Sequence, residues 1–277
     1  MKDNIIVDTL VDFNEKIFGP GGLIRIPFKI NIDGVEIVDD KRDQTDLLAR
    51  MKSCKDKLLT ACPSPDDFLY SLKRHATNYI VTVSSKLSAS YQSALLAKDM
   101  LLESAPDTIV HVFDSMSACA GESLVVMKLK QLMSENLNPD HIKEKLNEYI
   151  SRLNTLILLD SYNNLVKSGR VSPIKAAIGS LLQIVPIMGS NYNGEIELKE
   201  QVRGKQKALR RLVELIGETV ADAAGSVMAI THANAPAQAE YIRMQILGSM
   251  PFKDIIIFEA SGLSTVYMDD GGIVLAF

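Results

Sequence analysis

The chain alternates short apolar segments, typical of buried strands, with longer segments that carry helix signals. Ser64 precedes a proline at a first helical position, and Asn138 does the same in a later segment. This alternation predicts an α/β fold with mostly parallel sheets. The segments predicted to be strands are NIIVD, KLLTA, NYIVTV, DTIVHVFD, TLILLD, SVMAITH and DIIIFEA.

Two segments depart from this alternation and predict antiparallel hairpins. Residues 21–40 alternate at a period of two around Asp33-Gly34, and residues 184–202 contain a second turn signal at Asn193-Gly194. Between them, the helix that begins after Asn138 ends just before the strand TLILLD. We therefore predict a domain boundary at this point, with residues 1–153 in one domain and residues 154–277 in the other.

The composition limits the classes of protein to consider. With 277 residues, 47% of them hydrophobic, the chain can bury the core of one large domain or of two ordinary ones. Its net charge of −4 argues against a nucleic acid or an anionic membrane as a partner. Three cysteines without a CxxC pair favour a reducing compartment, and no apolar run approaches the roughly 18 residues of a membrane span. We therefore expect a soluble cytoplasmic protein.

The common enzyme signatures are missing from the sequence. It has no GxxxxGK[ST] phosphate loop, and the segment GESLV at Gly121 lacks the second glycine of a hydrolase nucleophile elbow. The four histidines form neither an HExxH motif nor a zinc spacing with cysteine, so we expect no metal site. They are His75, His111, His141 and His232.

Hydroxyl side chains are concentrated where three predicted strands end. The segment SSKLSAS links the strand NYIVTV to a helix, and we expect Ser85, Ser88 or Ser90 to cap that helix. One cap needs one hydroxyl, so the surplus fits a cradle for an oxyanion or a carboxylate equally well. Thr60 ends another strand, and the segment FDSMS follows a third. Since ligands bind at the carboxyl ends of strands in open α/β sheets, these hydroxyls predict a shared crevice.

Five motifs follow one another in a fixed order along most of the chain: TACPSPDDF, SSKLSASYQSA, FDSMSACAGES, LVKSGRVSPIKAAIGSLLQIVPIM and GEIELKEQVRGKQKAL. This series resembles the DegV family of bacterial fatty-acid-binding proteins. The resemblance implies two α/β domains, the first with a mostly parallel sheet flanked by helices and the second with a mixed sheet and helices. A tunnel opening between them would hold a long-chain fatty acid as the ligand, with no cofactor.

The resemblance also implies a carrier that is not itself an enzyme. Members of the family present the carboxylate of the bound fatty acid to a separate ATP-dependent fatty acid kinase. The kinase makes an acyl phosphate for phospholipid synthesis, so an acyltransferase that uses acyl phosphate is a further implied partner.

Carried over residue by residue, the resemblance places the fatty-acid carboxylate at Thr60 and at a serine of SSKLSAS. Ser88 is the first candidate in that segment, with Ser85 and Ser90 beside it, and the motif SGR contributes Arg170.

The resemblance extends to a basic run and to the C-terminal segment. Arg203, which leads a predicted basic helix, would dock on the kinase together with Lys205 and Lys207. The family ends in a histidine-containing segment, where this chain reads YMDDGG, so Asp270 is a candidate contact to the ligand head. The segment LSAS also departs from the family, because Ala89 stands in place of a glycine.

Alternative interpretations stay open beside the carrier. The crevice could belong to a hydrolase with Ser88 or Ser90 as nucleophile, or to a small-molecule kinase subunit. A nucleophile needs a base within reach, and the hydroxyl-rich motifs contain no histidine, which favours the carrier. The segments IKAAIGSLLQIVPIM and EYIRMQILGSM could line a tunnel or simply pack the core, and the basic run could be a solvated helix face.

Overall fold

The computed structural model of the chain describes residues 3–40, 44–54, 58–74, 76–171 and 183–277. Over these residues it contains strands in three sheets, with helices packed between and around them, which confirms the α/β class. The helices are α1 (Glu15–Phe18), α2 (Gln44–Ser53), α3 (Pro65–Ser71), α4 (Ser90–Ser104), α5 (Ala120–Ser134), α6 (Pro139–Arg152), α7 (Asn163–Lys167), α8 (Lys205–Thr219), α9 (Pro236–Leu247) and α10 (Gly262–Met268).

The N-terminal half contains a parallel four-stranded sheet and an antiparallel three-stranded sheet. The parallel sheet has the order β2-β1-β6-β7, and the antiparallel sheet has the order β4-β3-β5. The strands are β1 (Asn4–Asp8), β2 (Ile24–Ile26), β3 (Lys29–Ile32), β4 (Val35–Val38), β5 (Leu58–Ala61), β6 (Asn78–Thr82) and β7 (Val110–Asp114).

The predictions for residues 21–40 and for the strand KLLTA are partly wrong. Only β3 and β4 form the hairpin, whose two-residue turn has positive φ at Asp33 (50°) and Gly34 (85°), as a type I′ turn requires. The β2 strand instead pairs in parallel with β1. Pro27, which follows β2 and has no N–H to donate, separates the two elements. Strand β5 is confirmed but pairs antiparallel with β3, outside the parallel sheet.

The C-terminal half forms a mixed six-stranded sheet of order β10-β9-β8-β13-β11-β12. The short strand β13, which sequence analysis did not predict, lies between β8 and β11 and is antiparallel to both. The second predicted hairpin is confirmed as β9 and β10, although its loop spans five residues, 191–195, rather than two. The strands are β8 (Thr155–Leu158), β9 (Ile184–Ser190), β10 (Ile196–Arg203), β11 (Val227–His232), β12 (Asp254–Glu259) and β13 (Ile273–Ala276).

Two of the three N-caps predicted from the sequence are present in the structure. Ser64 and Asp67 form a capping box at the start of α3, and Asn138 accepts the N–H of His141 at the start of α6. The N-cap position of α4 is Ala89, so none of the three candidate serines occupies it, although Ser88 accepts the N–H of Ser90, the first helical residue. The hydroxyl of Ser90 is instead engaged elsewhere in the core.

One hydrophobic cluster joins the two halves of the molecule. It contains Val7 and Val81 from the parallel sheet together with Ile157 and Val274 from the mixed sheet. The boundary predicted between residues 153 and 154 falls between α6 and β8, where the strands of one sheet give way to those of the other, and it stays a prediction. Among the described residues, no helix combines the length and the apolar content needed to cross a membrane.

Candidate functional site

A cavity of about 350 Å³ is lined by both halves of the chain. This volume lies within the range of about 300–1,000 Å³ that is usual for small-molecule sites. Apolar side chains form most of the wall, and those of Leu10, Phe28, Val83, Leu159, Leu165 and Val274 are buried. Such a lining favours a ligand with a long apolar portion, because each methylene transferred from water stabilises the complex by about 0.8 kcal/mol.

The partly exposed end of the cavity, which we call the mouth, brings together Thr60, Arg170 and Tyr267. The hydroxyl oxygens of Thr60 and Tyr267 are 2.6 Å apart. The Arg170 guanidinium lies 5.4 Å from the centre of the Tyr267 ring, within the range of a cation–π contact. Its Nε donates to the carbonyl of Leu87 at 3.1 Å, and one terminal nitrogen donates to that of Ser168. A fixed cation beside two hydroxyls suits an anionic head group.

The serines of SSKLSAS are divided between the cavity and the core. Ser88 lines the cavity, and its Oγ accepts the N–H of Ser90. Ser90 is buried away from the cavity lining and donates its hydroxyl proton to Asp8 at 2.6 Å. Ser85 is half-buried and does not line the cavity either, although its N–H bonds to Asp114. Of the three predicted serines, the structure therefore brings only Ser88 to the site.

Asp8, at the end of β1, bonds to two segments of the cavity wall. The Asp8 carboxylate accepts the N–H groups of Leu10 and Val83, two residues that line the cavity, as well as the Ser90 hydroxyl. Burial raises the pKa of Asp8 despite these bonds. Glu122 is fully buried beside it, and burial, reinforced by the Asp8 charge, raises the pKa of Glu122 well above its usual value. We interpret Asp8 as the residue that holds two wall segments in place.

Helix α10 carries Tyr267 to the mouth, and its N-terminus is anchored by buried acids. Ser261 caps the helix by accepting the N–H of Ser264, while the Asp39 carboxylate accepts the N–H of Leu263. A Cβ at Gly262 would lie 2.3 Å from Asp39 Oδ1, so only glycine permits this approach. Burial raises the pKa of Asp39 to about 6. The anchoring of α10 therefore involves a group that titrates near neutral pH.

Asp270, the candidate contact to the ligand head, is not among the described lining residues of the cavity. Its carboxylate pairs with Lys52 at 2.8 Å and accepts a hydrogen bond from Asn234. The bond from Lys52, followed by that from Asn234, lowers the pKa of Asp270. The C-terminal segment does reach the mouth, but through Tyr267, because α10 ends at Met268 and the chain turns at positive φ at Asp269. Sequence analysis missed Tyr267, whose only signal was an aromatic residue beside YMDDGG.

The basic run is exposed, but its secondary structure differs from the prediction. Arg203 is the last residue of β10, and helix α8 begins at Lys205 after Gly204, whose φ is 92°. Lys205 pairs with Asp160 at 2.7 Å, and Asp160 directly follows the cavity residue Leu159. Lys207 is exposed on the first turn of α8. The run therefore begins close to the part of the cavity that Leu159 lines.

Groups that could perform covalent catalysis are not arranged for it in the described part of the cavity. No histidine is among its described lining residues, and His111 lines a separate surface groove. Cys119 does line the cavity, but burial raises the pKa of its thiol well above the usual value, which disfavours the thiolate nucleophile. Within the described ranges, no three His, Cys, Asp or Glu side chains are grouped to hold a metal ion.

Of the two apolar segments proposed as tunnel lining, one lies mostly outside the described residues and the other does not line the cavity. Residues 174–182, which make up most of IKAAIGSLLQIVPIM, lie outside the described residues, as does His75. The segment EYIRMQILGSM belongs to α9 and the turn after it, and none of its described residues lines the cavity. Met244 is 56% exposed on that helix. The described lining residues come mainly from β8, from the end of β5, from the segments that follow β6 and β7, and from α10.

Comparisons with known proteins agree with this architecture. A family model described as an uncharacterised protein of the DegV family matches residues 2–277. A DegV domain-containing protein from Streptococcus pneumoniae (strain ATCC BAA-255 / R6) is 30% identical over 255 residues, which cover 92% of this chain and 90% of that protein.

Two crystal structures are similar along nearly their whole length. A DegV family protein from Ruminococcus gnavus, refined with vaccenic acid, has a TM-score of 0.94 and 32% identity, with 99% of each chain covered. The Streptococcus pneumoniae Fatty Acid Kinase (Fak) B3 protein loaded with linoleic acid has a TM-score of 0.91 and 29% identity, covering 100% of this chain and 99% of that one. Because the family model covers all but the first residue, and relatives match over nine-tenths of the sequence or more, this chain belongs to the DegV family.

Proposed function

We propose that this protein binds a long-chain fatty acid in the cavity and holds its carboxylate at the mouth. The observation that carries the proposal is the separation of apolar and polar groups in the cavity. An apolar wall leads to a mouth that holds the hydroxyl pair of Thr60 and Tyr267 and the guanidinium of Arg170. The related proteins from R. gnavus and S. pneumoniae were solved with vaccenic acid and linoleic acid, respectively.

The apolar tail of the fatty acid would supply most of the binding free energy, and the bonds to its carboxylate would orient it in the cavity. Burying about 15 methylenes would stabilise the complex by on the order of 12 kcal/mol before the cost of ordering the chain. Each hydrogen bond to the carboxylate would add about 1.5–3 kcal/mol. Thr60 and Ser88 would donate such bonds, while Arg170 would supply the opposite charge.

We further propose that the carrier presents this carboxylate to a separate ATP-dependent kinase. The mouth residues are only half-buried, so a partner could reach the head group, and a fatty acid kinase protein is among the relatives. The exposed cations Arg203, Lys205 and Lys207 would dock on the kinase, which would form the acyl phosphate. An acyltransferase that uses acyl phosphate would then consume the product.

A hydrolase or a small-molecule kinase subunit is the alternative, and the geometry supports it less well. Ser88 is the candidate nucleophile that reaches the cavity, yet its Oγ accepts a backbone N–H, and no histidine is among the described lining residues. A serine nucleophile without a base within reach is not activated.

Solvent extraction of the purified protein tests the binding proposal. Mass spectrometry should identify one fatty acid at a near-equimolar ratio, and calorimetry should show that the stripped protein binds added fatty acid. Failure of both measurements would overturn the proposal. A hydrolase would instead release product from an ester of the same acid without any partner, and Ser88→Ala would abolish that release.

A further inference from the structure

The cavity extends along one face of β8, so positions along this strand distinguish its two ends. Thr155, Ile157 and Leu159 all line it, and alternate residues of a strand point to the same side. At about 3.3 Å per residue, Thr155 lies about 13 Å along the strand from Leu159. The Leu159 end leads to the mouth, because helix α7, which follows Leu159 in the chain, is bonded to α10 beside Tyr267: the Asn164 amide donates to the carbonyl of Val266. Thr155 therefore marks the inner end.

A pair of hydroxyl groups lies at this inner end, away from the mouth. The Oγ of Ser117 and the Oγ1 of Thr155 are 2.7 Å apart, and both side chains are buried and line the cavity. A Cβ on Gly121 would lie 1.9 Å from Ser117 Oγ and 3.1 Å from Thr155 Oγ1, so glycine is required beside the pair. Ser190, which follows Gly189 opposite Leu156, lines the same region.

The pair cannot satisfy its own hydrogen-bonding capacity. Two hydroxyls carry two protons and four lone pairs, and their mutual bond uses one of each. Within the described part of the chain, the only other hydrogen bond of either hydroxyl is a long one, from Ser117 Oγ to the carbonyl of Ala118 at 3.5 Å. That distance exceeds the usual 2.5–3.0 Å of an O–H···O bond. Three lone pairs, and a proton engaged only in this long bond, thus remain for a ligand atom in the cavity.

A plain hydrocarbon chain is a poor partner for these hydroxyls, because methylenes displace solvent from them without replacing its hydrogen bonds. An oxygen on the ligand could both accept the remaining proton and, as a hydroxyl, donate to a lone pair of Ser117 or Thr155. Sites built around buried polar groups discriminate in this way against analogues that lack the matching group.

We propose that the ligand class of this protein includes fatty acids with a hydroxyl or oxo group part-way along the chain, recognised by Ser117 and Thr155. This inference rests on the proposed fatty-acid binding and specifies its substrate class. The carboxylate would occupy the mouth, and the oxygen substituent would reach the pair part-way along the chain, at the Thr155 end of β8.

Calorimetry on the stripped protein tests the inference with stearic acid and a series of hydroxystearic acids substituted from the middle to the end of the chain. At one position the hydroxyl should tighten binding about three- to tenfold over stearic acid, the worth of one neutral hydrogen bond. Thr155→Val and Ser117→Ala should remove this preference. Thr155→Ser should keep it, and so should Thr108→Val, which removes a buried hydroxyl that is not among the described lining residues.

The outcomes distinguish recognition of a ligand hydroxyl from fatty-acid binding itself. If stearic acid binds as tightly as every hydroxylated acid, or if the preference survives in both Thr155→Val and Ser117→Ala, the inference is overturned while fatty-acid binding stands. If Thr155→Val weakens all acids equally, the pair is a structural contact and the inference is also overturned. Failure of every acid to bind the parent protein would overturn the proposed function itself.

Discussion

The hydroxyl oxygens of Thr60 and Tyr267 lie 2.6 Å apart, although the residues are 207 positions apart in the sequence. Thr60 belongs to β5 of the small antiparallel sheet, and Tyr267 lies in the last turn of α10. When Tyr267 donates its proton to Thr60, the proton of Thr60 is left for a ligand oxygen at the mouth. The contact therefore orients the hydroxyl that we propose to bind the carboxylate.

Tyr267→Phe should weaken fatty-acid binding about three- to tenfold, because Thr60 loses the donor that orients its own proton. Thr60→Val should weaken it more, about ten- to a hundredfold, since a bond to a charged group is lost. Calorimetry with a fatty acid and with the alcohol of equal chain length measures both effects. The alcohol should be affected much less, and Tyr70→Phe, on a residue 96% exposed, is the control. Equal losses for acid and alcohol would contradict this role.

Gly194→Ala should destabilise the protein more than Gly34→Ala. Both glycines have positive φ, 81° and 85°, so both variants carry a backbone strain of about 1–2 kcal/mol. At Gly34 a Cβ meets nothing within 4 Å, whereas at Gly194 it would lie 2.5 Å from Ser84 Oγ and 3.0 Å from Met116 Cα. Urea denaturation measures the difference between the variants. Gly194 also lines the cavity, so only its variant should lose fatty-acid affinity. Identical unfolding free energies would show that the hairpin moves freely away from Ser84.

Asp39 should make the stability of the protein depend on pH. Its folded pKa is raised from 3.8 to about 6, so the stabilising contribution is complete below pH 4 and is lost as pH rises through 6. The expected loss is about 3 kcal/mol. Burial is the largest cause of the raised pKa, and the charge of Asp12 adds to it. The opposing effects, which favour the charged form but are smaller, come from Thr9, the N–H of Leu263 and the charge of Arg25.

Denaturation between pH 4 and 7 compares the parent with Asp39→Asn, which keeps an oxygen for the N–H of Leu263 but cannot titrate. The variant should show a shallower decline of the unfolding free energy. Some decline should persist, because the pKa values of Asp8 and Glu122 are raised as well. Asp107→Asn, at an exposed site, should follow the parent. Parallel curves for Asp39→Asn and the parent would show that Asp39 does not titrate in this range.

Charge reversal at Arg203 and Lys207 should slow acyl-phosphate formation by the partner kinase and leave fatty-acid affinity unchanged. Complementary charge accelerates association, and salt screens exposed charges over about 8–10 Å, so the residual activity of the variant should respond less to salt. A kinase assay over a salt titration measures both. Lys145→Glu, on exposed α6, is the matched control. Equal activities of parent and double variant at every salt concentration would identify the run as a plain solvated face.

The sequence by itself determined the elements and part of the site. Alternating apolar segments specified the buried strands, and the Asp33-Gly34 turn specified the β3–β4 hairpin, because positive φ at two successive positions leaves few residues to choose from. Thr60, Ser88 and Arg170 could be proposed from local motifs, and the structure brings all three to one cavity. Such features depend on neighbours in the chain, which a sequence displays directly.

Only the tertiary structure decided which hydroxyls face a ligand and which serve the core. Ser90 and Ser88 occur in the same motif, yet Asp8 takes the first into the core, and the second stays at the cavity. Tyr267 meets Thr60, and Thr155 meets Ser117, only because α10 and β8 pack against the N-terminal half. Contacts between residues far apart in the chain follow from packing of the whole core, and no local pattern of residues encodes them.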